Sequence, residues 1–416
     1  MTRFATFIYP TMFALPRNYR LPSLYLILAF GFITTFFYYR SSIGQTISDH
    51  APSYRPSLRK GRIKAANATL GFGGLYVVSG PGSPRRAHLE QASAVTELEL
   101  TIPEQKEWTE EDVLNFRWDN VTESLVGIGS AKAWLSHHLV LRAFLESGAE
   151  SALIFEDDVD WDIRLRTVQV PLAQQAARSL SQTPVSSSYP WGMHNDWDLL
   201  YLGHCGDYFN DLEDGVGVGH HHPHHLTGIP HAVFEDPSMP NRTDLHPFTA
   251  SLLTALNVPE HNRVLHRSKW PLCSFGYAVT RQGAEKILTE VAPPKEDISR
   301  KLIAYDAALL DGCRGGYLLN CYSITPELFH HMEGKSLIAI EEEAREHHHV
   351  FRPPVDVKGM EQVYYRKETS NIGCGFWSGE FYFDGEPENL EVLREEVGRK
   401  GRCMKEGREN EYHLEG

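Results

Sequence analysis

The sequence predicts an α/β domain with a mixed central sheet, set behind a transmembrane helix and a stem. Three observations predict it. First, Ala152-Leu153-Ile154-Phe155 runs directly into Glu156-Asp157-Asp158. Such a short apolar run suits a strand buried on both faces, with its acids where the strand leaves the sheet. Second, Ser130 to Gly148 reads as a helix leading into that strand, with Ser130 as N-cap and Gly148 as C-cap. Third, Leu21 to Tyr39 is a charge-free run, long enough to cross a hydrocarbon core of roughly 30 Å.

The 416 residues are 42% apolar and 23% charged, a globular composition. Net charge is −14, unevenly spread: residues 1–72 carry nine Lys/Arg against the single acid Asp49. The acidic remainder argues against nucleic acid as a partner. An acidic domain that handles an anionic nucleotide needs a metal or local arginines to offset repulsion.

In chain order, residues 1–20 read as a cytosolic tail and 21–39 as the anchor. Arg17, Arg20 and Arg40 flank the anchor, and Tyr38 and Tyr39 sit where interfacial aromatics belong. No A-x-A-like site follows, which disfavours a cleaved signal peptide. Residues 40–72, rich in Ser, Pro, Arg and Lys, read as a stem. The sequons at Asn67, Asn120 and Asn241 and all six cysteines lie beyond the anchor. That pattern fits a single-pass type II protein with a lumenal domain in the ER or Golgi. Six cysteines allow 15 full pairings, and none is selected by sequence.

The folded domain is expected over 73–340. Leu75 to Val78 reads as its first strand, followed by the glycine-rich turn Ser79 to Arg86. Such a turn can bring backbone N–H groups to a phosphate, and Arg85 or Arg86 can contact a diphosphate. Within the helix, Ser136-His137 suggests a nucleophile and base, but adjacent helical residues diverge too far to pair. Asp198 to Gly203 is a second strand. The D-x-D at Asp196-Trp197-Asp198 precedes it, on the wrong edge for ligands. Residues 204–270 look irregular, and the tract His220 to His225 reads as a surface insertion. Phe275 to Val279 is a strand, Arg281 to Val291 a helix, Ala304 to Leu310 a helical piece, and Tyr317 to Tyr322 a strand. Residues 341–416 form a charged extension whose packing the sequence leaves open.

Three adjacent carboxylates repel one another and call for a cation. Oxygen ligands at a strand end suit Mn²⁺ or Mg²⁺, which then hold a phosphate or diphosphate. Strand alternation places Glu156 and Asp158 on one side and Asp157 on the other. His330, or His331 beside it, can complete the metal site.

The order of these pieces resembles family 25 glycosyltransferases, the group of bacterial lipooligosaccharide and animal collagen galactosyltransferases. The matching residues are Tyr76-Val77-Val78 with Arg86, Leu135-Ser136-His137, Ala152 to Val159, Asp198 to Gly203, Tyr277-Ala278-Val279 with Gly283-Ala284, Asp306, and Pro326 to Phe329. They span roughly 73–335. Lys132-Ala133 stand where the family usually carries Gly-Cys. The resemblance implies a GT-A-like fold, a UDP-sugar donor with galactose the first guess, a divalent metal, and inversion at the anomeric carbon. It makes Asp158 the leading metal ligand, with Asp157 and His330 beside it. Glu156, Asp157, Arg85 and Arg86 become donor-binding residues. The acceptor would be a glycan or a hydroxylated protein. Inversion in one displacement needs a base for the acceptor hydroxyl, and Asp306 is the candidate. Two alternatives stand beside it: a metal-dependent phosphoesterase using the same acids, and a catalytically silent, membrane-tethered binding protein.

Overall fold

The computed structural model describes residues 63–118, 123–184, 187–209, 221–316, 318–332, 369–379 and 381–406. The 21–39 segment, most of the stem, Asn120 and His220 lie outside them. Among the described residues no helix is long and apolar enough to cross a membrane.

The chain is mixed α/β. In order, β1 (Leu75–Val78) leads to α1 (Arg86–Thr96), β2 (Leu100–Thr101), α2 (Glu110–Phe116) and α3 (Ile128–Glu146). Next come β3 (Ser151–Glu156), β4 (Val159–Trp161), α4 (Val170–Leu180), β5 (Leu199–Gly203) and β6 (Gly206–Asp207). Then follow α5 (Pro223–Thr227), β7 (His231–Glu235), α6 (Pro247–Ala255), β8 (Asn262–Arg267), β9 (Pro271–Leu272) and β10 (Gly276–Thr280). The last are α7 (Arg281–Lys286), α8 (Tyr305–Cys313), β11 (Cys321–Thr325), β12 (Phe329–His331) and α9 (Pro387–Leu393).

Eight strands form the main sheet in the order β2-β1-β3-β10-β5-β11-β8-β7. β1, β2 and β3 run parallel, as do β5 and β11, while β10 lies antiparallel between β3 and β5. The antiparallel β8 and β7 close the other end. β1, β3 and β5 therefore all point their carboxyl ends to one edge. Alternate residues of β3 feed opposite layers. Leu153 and Phe155 join the cluster under α1 and α4, while Ala152 and Ile154 join the one under α3 and α8. All four are completely buried, as the unbroken apolar run predicts.

Several boundaries differ from the sequence reading. α3 begins at Ile128 with Gly127 as N-cap, so Ser130 lies inside the helix. The strand expected at 317–322 is β11, shifted to 321–325, because Asn320 spends its backbone N–H on the Asp198 carboxylate just before the strand begins. The described residues of 204–270 are not irregular throughout, since they supply β7 and β8 of the main sheet. Their polar composition hid them. His231, Arg263 and His266 are buried within these strands, each with hydrogen-bonding partners. Arg263, for instance, donates to Asp236 at 2.5 Å and to the Pro326 and Glu327 carbonyls at 2.7 and 2.9 Å.

Residues 369–406 pack against the domain. Phe376, Phe381, Val397 and Cys403 enter the same core cluster as Phe155 and Trp161. The acids beyond Asp158 anchor this segment. Asp160 accepts from the backbone N–H of Phe376 at 2.8 Å and of Trp377 at 3.2 Å, and from the Thr369 hydroxyl at 2.8 Å. Asp162 accepts from the Cys374 N–H and pairs with Arg164. The six cysteines form three disulfides, Cys205–Cys273, Cys313–Cys321 and Cys374–Cys403.

Candidate active site at the carboxyl edge of the sheet

The end of β1, the end of β3 and the start of α8 meet at the carboxyl edge. β3 stops at Glu156, and Asp157-Asp158 form a turn into β4. The turn breaks strand alternation. Asp157 and Asp158 therefore share one partner, Arg85, while Glu156 faces elsewhere, which corrects the pairing of Glu156 with Asp158.

Arg85 Nη1 lies 2.8 Å from Asp158 Oδ2 and 3.8 Å from Asp157 Oδ1. Asp157 Oδ2 accepts from the Ser79 hydroxyl at 2.7 Å. Arg86 does not reach the acids. Its guanidinium folds back on the turn, donating to Ser79 Oγ at 3.3 Å and to the Gly80 carbonyl at 3.1 Å. It shapes the turn in which Gly82 takes φ +65°, and nothing lies within 4 Å of where a side chain would begin at Gly80 or Gly82. That open backbone beside a guanidinium is suited to an anionic group.

His331, not His330, faces the acids. In β12 the two alternate sides, and His331 Nε2 lies 3.0 Å from Asp158 Oδ2. Burial alone would raise the Asp158 carboxyl, but His331 and Arg85 together hold it below its ordinary value. The same hydrogen bond to Asp158 raises His331. His330 instead bonds Glu327, and Glu327 also accepts from Asn371 at 2.6 Å. His330 thus helps lock the C-terminal segment and stands away from the acids, because one residue of β register turns its ring to the other side.

Glu156 looks toward α3 and α8. Its Oε1 lies 3.5 Å from His137 Nε2. His137 is buried, bonded through Nδ1 to the Tyr277 hydroxyl at 3.1 Å and stacked on Tyr305 at 4.4 Å. Tyr277 and Tyr305 hydroxyls lie 2.9 Å apart. Asp306, half-buried in the first turn of α8, accepts from the Ala307 N–H at 2.8 Å. Its carboxyl is raised, chiefly by withdrawal from water and further by the nearby Glu156 charge. Ser136 accepts from the Trp108 indole at 2.7 Å, so no Ser-His pair forms.

The fold thus brings together Arg85, Asp157 and Asp158 on one side of the site, and Glu156 with Asp306 on the other. His330 is excluded. Sequence reasoning weighed His137 only as a partner for Ser136 and set it aside on helix geometry, and it passed over Tyr277 and Tyr305, which sit in apolar stretches and read as core. Leu-Ser-His held the available signal, since its histidine is one of the few polar residues on the buried face of α3.

Asp158 Oδ1 is buried and accepts no hydrogen bond, an orphaned anionic oxygen that suits a divalent cation. Among the described residues no group of three or more His, Cys, Asp or Glu converges as a complete metal centre. Two carboxylates are nonetheless an ordinary protein share for Mg²⁺ or Mn²⁺ when a substrate diphosphate and water supply the rest. Comparison with protein-family models gives no match, and comparison with curated proteins gives none either.

Proposed function

We propose that the chain is an inverting, metal-dependent glycosyltransferase with a GT-A-like fold, moving a sugar from a UDP-sugar to a hydroxyl acceptor. Galactose is the first donor sugar to test. One observation carries the reading: an orphaned carboxylate oxygen on Asp158 beside Asp157 and Arg85, across a strand end from a carboxylate with a raised pKa, Asp306. A diphosphate needs the first group, and a hydroxyl nucleophile needs the second.

Asp158 and Asp157 would hold Mn²⁺ or Mg²⁺, which supplies Lewis-acid stabilisation of the charge that builds on the leaving diphosphate. Arg85 supplies fixed positive charge at the same edge, and the Ser79–Arg86 turn offers backbone N–H groups to the phosphates. Asp306 acts as base. Its raised pKa brings it nearer to the acceptor hydroxyl, so it takes that proton as the hydroxyl oxygen attacks the anomeric carbon and UDP leaves. A single displacement inverts the configuration. Glu156, held opposite His137, lies close enough to Asp306 to add to the raising of its carboxyl.

A lumenal location agrees with three disulfides and with sequon asparagines Asn67 and Asn241 on the exposed surface. Endoglycosidase treatment of the chain from its native host should increase its gel mobility. Unchanged mobility would count against lumenal exposure.

A second reading rests on Arg85. A guanidinium already on Asp158 could stand in for the cation and make a silent nucleotide-binding protein. The full chain, held in detergent, separates the readings when UDP- and GDP-sugars are screened for donor hydrolysis with Mn²⁺ and with EDTA. Metal-dependent turnover of one UDP-sugar supports the transferase. Nucleotide binding without turnover selects the silent protein, and turnover of simple phosphate esters selects a phosphoesterase.

A further inference from the structure

A chain of buried polar side chains runs behind the carboxyl edge. Tyr277 on β10 and Tyr305 at the start of α8 lie in the same apolar layer as Ile154, Leu199 and Val279, and His137 on α3 packs against both. All three are buried. The Tyr305 hydroxyl lies 2.9 Å from that of Tyr277, which lies 3.1 Å from His137 Nδ1. The other ring nitrogen, Nε2, is turned to Glu156 Oε1 at 3.5 Å, within ion-pair reach. The Glu156 side chain is 29% exposed against 2% for His137, so the chain meets solvent at that carboxylate.

Stability alone does not account for this arrangement. Replacing both partners of a buried hydrogen bond by apolar groups of the same shape is nearly neutral or stabilising, so phenylalanines would fill the layer as well. What the polar chain adds is orientation. The imidazole is held by the Tyr277 hydroxyl on one nitrogen and by a stack on Tyr305, with centroids 4.4 Å and planes 13° apart. Its Nε2 therefore has one fixed direction, toward Glu156. The same stack steadies Tyr305, against which Trp134 packs edge-on. α8 begins there with Ala304 as N-cap and no side-chain cap, so the Tyr305 contacts set its first turn, and Asp306 is the next residue. One imidazole thus joins the carboxylate at the strand end to the turn that carries Asp306.

We propose that His137 is a positioning residue of this site: it aims the Glu156 carboxylate at the open edge and fixes the α8 turn that presents Asp306. The inference rests on the transferase reading. His137 is too enclosed to touch donor or acceptor, so it acts through the two acids. Its charge bears on them as well. Glu156 raises the Asp306 carboxyl, and His137 opposes that rise. The other groups facing the pair are neutral. Burial holds His138, its neighbour on α3, down to about 4, and raises the hydroxyls of Tyr201, Tyr277 and Tyr305.

The test uses the full chain in detergent with Mn²⁺ and the UDP-sugar that the wild type turns over. His137→Phe keeps a ring against Tyr305 and removes both polar contacts. Tyr277→Phe keeps every ring, removes the hydroxyl that holds Nδ1, and serves alone if His137→Phe does not melt cooperatively. In each variant kcat should fall about 10- to 100-fold. KM and calorimetric UDP binding should stay within about twofold, since Arg85, Asp157 and Asp158 are untouched. In His137→Phe the acid-side loss of activity should also move to higher pH, because the charge that opposes the Asp306 rise is gone. Unchanged kcat in folded variants of an active chain would overturn the inference and leave the transferase reading standing. A loss carried by KM and UDP binding, or one that only follows the folded fraction, would overturn it too. No turnover of any UDP-sugar by the wild type would overturn both together.

Discussion

If Asp306 is the proposed base, it should combine two properties that a merely structural acid would not. A carboxyl raised on folding binds its proton more tightly in the folded chain than in the unfolded one. Its charge therefore costs stability, and that cost grows as pH rises through the window between the two values. Asp306→Asn should leave thermal stability at neutral pH unchanged or raised, while turnover falls by about 10²-fold or more. The wild-type pH–rate profile should lose activity on the acid side at a pH above the ordinary carboxylate range. A variant that melts lower and keeps its turnover would return Asp306 to a plain helix-terminal acid. Glu327 shows the opposite shift. Burial would raise it, but the His330 charge and hydrogen bond hold it at about 2, against an ordinary 4.5. Its contribution to stability is full above about 4.5 and is lost as pH falls toward about 2. Melting temperature measured through that window should fall steeply in the wild type and less steeply in Glu327→Gln.

At the scale of elements, the acid run Glu156 to Asp162 divides its labour. Asp157 and Asp158 share Arg85 at the carboxyl edge, Glu156 turns toward His137, and Asp160 and Asp162 hold the C-terminal segment. Asp160→Ala would strip the Phe376 and Trp377 N–H groups and the Thr369 hydroxyl of their shared acceptor. Urea unfolding should show a loss of about 3 kcal/mol. A change below ~1 kcal/mol would mean that this segment contributes little to the fold. Sequence reading found β1, β3, β5 and β10 because each is an apolar run short enough to be a buried strand. It placed the carboxyl edge for the same reason. It missed β7 and β8, whose polar residues are buried in the sheet, with Arg263 and His266 of β8 paired to residues distant in the chain. It also could not tell His330 from His331, because that choice depends on the register of β12 against β4, which only the folded pairing sets. The role of Asp160 was equally hidden, since its partners lie more than two hundred residues away.

Across the whole molecule, the three disulfides differ in access. Cys205 is exposed, whereas Cys313, Cys321 and Cys374 are fully buried and Cys403 nearly so. Thiol exchange needs access to a sulfur. Mild reductant without denaturant should therefore open Cys205–Cys273 alone, and alkylation followed by peptide mass mapping would show it. That bond spans 68 residues, and its loss should cost about 4 kcal/mol by loop closure. Labelling spread evenly over all six cysteines would contradict the buried placement of the other two bonds. The most direct test of the account as a whole is calorimetric titration of UDP into the full chain, with Mn²⁺ and with EDTA, for the wild type, Asp158→Asn and Asp306→Asn. Binding should depend on Mn²⁺ in the wild type, be lost in Asp158→Asn, and be retained in Asp306→Asn despite its reduced turnover. Binding that ignores Mn²⁺, or that survives equally in both variants, would contradict the assignment of the acids to the donor diphosphate.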